Sequence, residues 1–177
     1  MGLYGIGQPV PREEDPRLLM GKGRYVDDVN PAGQAQGFAL RSALAHAIIL
    51  SMNADAARAA PGVLAVLTSA DLKARGLGAQ KPDVPRQKSD GSPAYVTPQP
   101  LLADDRVRFV GQPVAFVVAE TLAQAKDAAE LIDIDYDPLP AVVNIEQATA
   151  GAAQTVWDDN PGNEAFFHEV GKFQDFV

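Results

Sequence analysis

The clearest pattern of apolar and polar positions runs from Arg108 to Val142, "RFVGQPVAFVVAETLAQAKDAAELIDIDYDPLPAV". The continuous apolar run from Val114 to Ala119 predicts a central strand that is buried on both faces. Thr121 is typical of a helix cap, and apolar residues then recur with a helical period. The following "IDIDYD" alternates strictly, which predicts a strand with one face in water. This stretch therefore predicts a strand, a helix and a second strand.

The same pattern predicts which side chains of this unit are buried. The apolar face of the helix is predicted to comprise Leu122, Ala125, Ala129 and Ile132. On the second strand, we expect the core positions to be Ile132, Ile134 and Tyr136, and the positions in water to be Asp133, Asp135 and Asp137.

A second strand–helix unit is predicted earlier in the chain. "QGFALRS" and "AHAIILSM" favour two strands, and Asn53 is placed to cap a short helix that Pro61 and Gly62 end. "VLAVLT" favours a short buried strand, followed by a turn of helix capped by Thr68 or Ser69. Two strand–helix units of this kind indicate a small α+β domain.

Glycines and prolines divide the remainder of the chain. They predict an extended N-terminal arm with turns, without a packed helix, over residues 1–33. The α+β domain is predicted over residues 34–148, interrupted by a loop at 76–100 that is either mobile or pressed against a partner. Residues 149–177 contain the single Trp and four of the seven Phe without a clear period, so we interpret them as an exit segment that needs a surface to pack against.

Composition narrows the functional classes. A formal charge of −8 and a pI near 4.6 argue against binding to nucleic acid or to an anionic membrane surface. The absence of cysteine excludes disulfides, a thiolate nucleophile and sulfur ligands within these 177 residues. The N-terminus lacks the features of a signal peptide, and the apolar runs are too short to cross a bilayer, so we expect a cytoplasmic protein.

Candidate chemistry is sparse. "GIGQPV" and "GKGRYV" lack the third glycine, the preceding strand and the following helix of a dinucleotide loop. His46 and His168 have no neighbouring ligand at metal spacing, which favours structural roles. The adjacent carboxylate pairs are interpreted as solvated turns and caps, namely Glu13 and Glu14, Asp27 and Asp28, Asp104 and Asp105, and Asp158 and Asp159. The residues alone therefore predict no catalytic site and no metal site.

Three residues before the apolar strand are candidates for an interface. Arg108, Gly111 and Gln112 are predicted at a strand edge or turn, where a small residue and an amide could meet a partner or another domain. For Gly111 the residue pattern favours a bulge or a turn with positive φ over a contact with partner or cofactor.

A series of motifs extends this interpretation. "GQPVPREEDPRLLMGKGRYVDDV", "RSALAHAIIL", "APGVLAVLTSADL", "PLLADDRVRFVGQPVAFVVAETLAQAKDAAELIDIDYDPLPAVV" and "PGN" follow one another in this order. Together they resemble the N-terminal region of the molybdopterin-binding large subunit of the xanthine dehydrogenase, aldehyde oxidase and carbon monoxide dehydrogenase family. The resemblance covers Ile6 to about Gly171.

The resemblance implies an aldehyde oxidase/xanthine dehydrogenase a/b hammerhead domain. It also implies a large subunit that uses a molybdenum–pterin cofactor to hydroxylate aldehydes or N-heterocycles, or to oxidise carbon monoxide. The family's cofactor loops and catalytic residues lie later in the large subunit, so these 177 residues are expected to bind no cofactor alone and to be catalytically silent. The implied partners are the remaining molybdenum domain or chain and the iron–sulfur and flavin subunits.

Two departures from the family pattern leave alternatives open. Ser42, Ala43 and Leu44 stand where the family often has Ser-Pro, and "KFQDFV" stands where the family continues into a long catalytic region. A stand-alone scaffold that self-associates through uncovered apolar surface is therefore the alternative to a portion of a molybdenum hydroxylase. An independent enzyme would need a convergent set of polar groups that the sequence does not contain.

Overall fold

The computed structural model of the protein describes Gly7, residues 11–150 and residues 154–167. Its contacts divide the chain into two compact units, Met1–Gln34 and Ala35–Val177. In the first unit, a short helix α1 spans Asp15–Leu19 and a single 3-10 turn spans Val26–Asp28. None of the residues of α1 is buried, so it is a short exposed helix within the predicted arm; Pro16 in its first turn suits a helix start, and Arg17 pairs with Glu14 at 2.8 Å.

The second unit is built on two three-stranded antiparallel sheets. The first sheet has the order β1 (Gln36–Arg41), β5 (Pro113–Ala119) and β3 (Val63–Leu67). The second sheet has the order β4 (Arg106–Val107), β2 (Ala47–Asn53) and β6 (Asp133–Pro138). The sequence predicted five of these six strands, namely β1, β2, β3, β5 and β6. The two-residue β4 was not predicted, because it is too short to show a period.

Four helices connect and cover the strands. They are α2 (Asp55–Ala59), α3 (Ser69–Ala74), α4 (Leu122–Glu130) and α5 (Ile145–Thr149). Asn53, the predicted cap of α2, lies one residue before the observed N-cap Ala54, and its side chain accepts a hydrogen bond from the Asp55 backbone N–H at 2.9 Å. Thr68 and Thr121 cap α3 and α4 as predicted.

The strand–helix–strand stretch does not form one sheet. β5 is the central strand of the first sheet, whereas β6 is an edge strand of the second. Helix α4 packs on β1 and β5, so the chain enters α4 from one sheet and leaves it into the other. The stretch therefore links the two sheets through a single helix.

The core beneath α4 is made of small side chains. Ala115 and Ala119 of β5 face Ala125 and Ala129 of α4, and all four are fully or almost fully buried. Methyl groups on both surfaces let the helix approach the sheet closely, which excludes water from the interface. A second cluster, centred on Ala47, Ala103, Val107 and Val114, fills the space beside the second sheet.

The predicted burial differs from the structure at two positions. Phe116 of β5 is 36% exposed, so the apolar strand is covered fully on one face only. The Phe116 ring lies over Gly37, where an added Cβ would come within 2.5 Å of it. Leu122 is 43% exposed, because the first turn of α4 extends past the sheet. The alternation in β6 is confirmed, with Ile134 and Tyr136 half-buried and the aspartates exposed.

The loop over residues 76–100 carries local pairing. Gln80 and Gln99 exchange two backbone hydrogen bonds of 2.8 and 2.9 Å, and Gln87 pairs with Pro93. The Tyr95 backbone N–H donates to the Ala165 carbonyl at 2.8 Å. Residues of the exit segment thus contact the loop. Within the described residues, no helix has the length and apolar character required to cross a membrane.

Candidate functional site

The turn between β4 and β5 contains the three predicted interface residues. Gly111 has a φ of +84°, a conformation that L side chains rarely adopt, and no atom lies within 4 Å of where its Cβ would be. Backbone conformation, and not crowding, therefore accounts for glycine here. The Gly111 N–H donates to the Ser42 carbonyl at 2.8 Å, and its carbonyl accepts from Arg41 at 2.8 Å.

Gln112 fixes the shape of this turn. Its side chain is 4% exposed, and its Oε1 accepts a 2.7 Å hydrogen bond from the Arg108 backbone N–H. Its backbone carbonyl accepts from the Ser42 N–H at 2.9 Å, which ties the turn to the end of β1. The structure thus brings Arg108, Gly111 and Gln112 together in one turn.

The Arg108 side chain contacts the exit segment. Its guanidinium carbon lies 3.9 Å from the centroid of the Trp157 ring, and its Nε donates to the Val156 carbonyl at 3.2 Å. Burial lowers the pKa of Arg108, and the nearby carboxylates of Asp105 and Asp158 act in the opposite direction. An arginine remains charged under such conditions, so the stack on Trp157 is a cation–π contact.

A salt bridge joins the same two parts of the chain. Arg106 donates to both carboxylate oxygens of Asp158, at 2.9 and 3.2 Å. The Arg106 side chain is 15% exposed and that of Asp158 is 74% exposed, so the arginine contributes the buried half of the pair. The forked geometry fixes the orientation of the carboxylate as well as its distance.

Tyr95 adds a third contact, from the loop. Its hydroxyl donates to the Asp159 carboxylate. Desolvation and this hydrogen bond raise the pKa of Tyr95 to about 12. The interpretation of Asp158 and Asp159 as solvated turn residues is therefore incomplete, since both carboxylates hold side chains from distant parts of the sequence. Asp104 departs from that interpretation as well, because it pairs with Lys73 and accepts from Ser69 at 3.0 Å.

Asn163 closes the exit segment into a loop. Its Oδ1 accepts from the Val156 N–H at 2.8 Å, and its Nδ2 donates to the carbonyls of Ala148 and Gln154 at 3.2 and 3.1 Å. Asn163 also has a φ of +56°, which asparagine tolerates better than most residues. The sequence signals for this loop were the only Trp and the "PGN" motif, whose contacts sequence reasoning did not identify.

Arg108 and Trp157 line two cavities. The first has a volume of about 370 Å³ and includes Lys73, Asp104 and Asp105 in its lining. The second has a volume of about 350 Å³ and includes Gln112, Phe109 and Val156. The stack and the segment Pro98–Leu101 border both cavities.

The histidines and the glycine motifs of the sequence show no ligand-binding arrangement in the described residues. His46 is 4% exposed and its Nδ1 donates to the Pro140 carbonyl at 2.9 Å, as expected for a structural histidine. His168 lies outside the described residues, as does most of "GIGQPV". "GKGRYV" follows a helix and precedes a single 3-10 turn, which is not the arrangement of a dinucleotide loop. Over residues 11–150 and 154–167, no three side chains of His, Asp or Glu form a metal-binding group.

Known proteins are similar to this chain in sequence and in fold. The family model described as "Aldehyde oxidase and xanthine dehydrogenase, a/b hammerhead domain" matches residues 20–140. The carbon monoxide dehydrogenase large chain of Afipia carboxidovorans is 43% identical over 157 residues, which are 89% of this chain and 18% of that protein. The nicotine 6-hydroxylase large subunit of Paenarthrobacter nicotinovorans is 40% identical over 146 residues, covering 82% of this chain and 17% of the relative.

Solved structures agree with these matches. Quinoline 2-oxidoreductase from Pseudomonas putida 86 superimposes with a TM-score of 0.72 at 43% identity, covering 84% of this chain and 18% of that one. The Cu,Mo-containing CO dehydrogenase superimposes with a TM-score of 0.71 at 40% identity, over 95% of this chain and 20% of the other. The present chain spans about a fifth of the length of these relatives. The predicted α+β hammerhead fold is confirmed, and the chain belongs to the aldehyde oxidase and xanthine dehydrogenase a/b hammerhead family.

Proposed function

We propose that this chain is the N-terminal scaffold of the large subunit of a cytoplasmic molybdenum hydroxylase. Residues 1–33 form its arm, 34–148 the hammerhead domain and 149–177 the segment that leads to the catalytic portion. The whole enzyme would oxidise an aldehyde, an N-heterocycle or carbon monoxide, the substrate range that the resemblance implies. Relatives whose names include carbon monoxide dehydrogenase and nicotine 6-hydroxylase support this range.

The observation that carries the proposal is the anchored exit segment. Arg106, Arg108 and Asn163 hold residues 154–163 against the hammerhead domain through side-chain contacts. A segment held in this way gives the polypeptide a fixed course along the domain, which is what a scaffold must supply to the portion that it supports. The candidate interface residues Arg108, Gly111 and Gln112 would act here by shaping and contacting this segment.

The family resemblance implies that the cofactor loops lie later in the large subunit, so no catalytic step is assigned to this chain. The cofactor would be held by the rest of the large subunit, and electrons would pass to iron–sulfur and flavin subunits.

The test is native mass spectrometry combined with molybdenum analysis on the protein purified from its own host. We expect the chain to co-purify with a larger polypeptide that carries stoichiometric molybdenum. An Asn163→Ala variant should retain its circular dichroism spectrum and lose much of this association. The control is Arg75→Gln at the end of α3, which should retain both the spectrum and the association. A bare monomer without molybdenum would contradict the proposal.

A self-associating scaffold is the second candidate function. Val143 and Ile145, just before and within α5, are 74% and 82% exposed, so they offer neighbouring apolar side chains to a second copy. In the same native mass spectra, a homo-oligomer without molybdenum would favour this candidate. A Val143→Asp variant should then dissociate the oligomer.

A further inference from the structure

The second cavity, of about 350 Å³, has the dimensions of a small-ligand pocket. It lies between residues 97–101, the turn at 109–113 and residues 156–157. Pockets for small ligands typically measure roughly 300–1,000 Å³. The cavity is therefore large enough for one small aromatic group together with a polar substituent.

The lining of this cavity combines flat apolar walls with hydrogen-bond donors. Phe109, Trp157, Leu101, Val156 and three prolines supply the apolar surface. The remaining lining residues are uncharged polar residues and Arg108, and none is an aspartate or glutamate. In a chain with a formal charge of −8, a cavity bordered by one cation and no carboxylate favours an anionic ligand.

The Gln112 carboxamide supplies an unused donor. Its Oε1 is occupied by the Arg108 backbone N–H, which fixes the orientation of the amide. No residue in the described part of the chain accepts a hydrogen bond from its Nε2. Gln112 is 4% exposed and lines the cavity. A donor placed in this way can exchange a hydrogen bond to water for one to a ligand acceptor.

Arg108 supplies the charge. One face of its guanidinium is stacked on Trp157, and Nε is used by Val156. Nη1 has only a long contact of 3.4 Å to the Arg106 carbonyl. Asp105 borders the other cavity, and Asp158 is engaged by Arg106. Within the described residues, no carboxylate lies within ion-pair distance of Arg108, so its charge is available to a ligand.

We propose that this cavity binds a carboxylate attached to a flat apolar group. The carboxylate oxygens accept from Gln112 Nε2 and the Arg108 guanidinium, and the apolar group lies against Phe109 and Trp157. The same chemistry is offered by a free aromatic carboxylate and by an acidic residue next to an aromatic one in a polypeptide. This inference does not depend on the proposed scaffold function, because binding is measured on the 177-residue chain itself.

The test uses Trp157 as a built-in reporter, since it is the single tryptophan of the chain. Fluorescence excited at the red edge of tryptophan absorption is followed during titration with benzoate at constant ionic strength. We expect a saturable change, and at least tenfold weaker binding of benzamide, which has the same shape without the charge. A linear change with benzoate, or equal binding of the two compounds, would overturn the proposal.

Two variants check the location. Gln112→Glu keeps an acceptor for the Arg108 N–H but replaces the free donor with negative charge, so benzoate should bind at least tenfold more weakly. Phe109→Ala changes a side chain that is 48% exposed, which protects the fold, and should weaken benzoate several-fold. Arg75→Gln, a cation outside the cavity lining, is the matched control and should bind like the parent. Unchanged binding in both variants would also overturn the proposal.

A second pair of probes separates the two ligand sources. Acetyl-Phe-Asp-amide is compared with acetyl-Phe-Asn-amide in the same titration. Tighter binding of the aspartate peptide than of benzoate supports a carboxylate from a polypeptide, and the reverse order supports a free aromatic carboxylate. Failure of both acids to bind more tightly than their amides overturns the proposal, whatever the result of the molybdenum analysis.

Discussion

The guanidinium of Arg108 lies over the indole of Trp157, with 3.9 Å between its central carbon and the ring centroid. Arg108 follows β4, whereas Trp157 belongs to the segment after α5. The stack therefore joins a turn of the hammerhead core to the exit segment, and it lines two cavities. Its removal should affect the segment before it affects the sheets.

Replacing Trp157 with alanine tests this order. We expect a loss of about 1–2 kcal/mol in the free energy of unfolding, because the variant loses a cation–π contact and packing. Hydrogen exchange measured by mass spectrometry should accelerate at residues 154–163 and stay constant in β1, β3 and β5. Val84→Ala, at a position 62% exposed, is the control. Equal acceleration throughout the chain would show that the stack supports the whole core instead.

The Arg106–Asp158 pair should respond to the loss of its carboxylate. Asp158→Asn leaves a side chain of Arg106 that is only 15% exposed without its counter-charge. Because Asp158 itself is largely exposed, we expect a cost of only about 1 kcal/mol at low salt. Urea unfolding should show this difference shrinking at high salt, since salt screens exposed charges. The control is Asp135→Asn on β6, and an equal effect in the two variants would contradict a specific role for the pair.

The glycine at the turn before β5 should be hard to replace. Gly111→Ala forces an L side chain to a φ of +84°, for which we expect a cost of about 1–2 kcal/mol. Gly78→Ala is a matched control, since Gly78 also has open space around its Cβ position and lacks a positive φ. Thermal unfolding of the two variants compares the cost of conformation with that of volume. A similar Tm for both would refute the conformational argument.

Asp71 should make the stability of the domain depend on acid pH. Hydrogen bonds from the Thr68 hydroxyl and then from the Thr68 backbone N–H hold the pKa of Asp71 below its ordinary value of 3.8. A lowered folded-state pKa gives a stabilising contribution that is present above the unfolded pKa and is lost as pH falls through the folded pKa.

The variant Asp71→Asn isolates this contribution. Its stability should be lower than that of the parent at neutral pH, and the difference should narrow below about pH 4, where the parent carboxylate begins to gain a proton. Urea midpoints over a pH series measure it. Asp127→Asn on the exposed side of α4 is the control, and a difference that stays constant down to low pH would contradict the assignment.

The elements of the fold could be predicted because their signals are local. The apolar run at Val114–Ala119 and the alternation at 133–137 specify strands through neighbouring residues alone. Which strands pair was not predictable from these patterns, because a period identifies the face of a strand and not its neighbour. That β5 and β6 lie in different sheets therefore appeared only in the structure.

The placement of Arg108 and Gln112 in a turn was predictable for the same reason, whereas their contacts were not. Arg108 and Gln112 were identified from the turn that they occupy, but their partners come from residues far along the chain. The stack with Trp157 depends on the return of the exit segment, and the buried position of Arg106 depends on the two-residue strand β4. Neither the return of the exit segment nor the strand β4 produces a periodic signal in the sequence.

The pairing of β1 with β5 has a consequence for synthesis of the protein. Gln36 at the start of β1 lies opposite Ala119 at the end of β5, and β3 pairs with the opposite edge of β5. During synthesis, β1 and β3 therefore cannot form this sheet, and their apolar faces stay uncovered, until β5 has left the ribosome. Closing so long a stretch of chain carries an entropic cost and slows folding. Nascent chains that stall before Ala119 should consequently depend on chaperones, whereas chains stalled after β6 should already resist proteases.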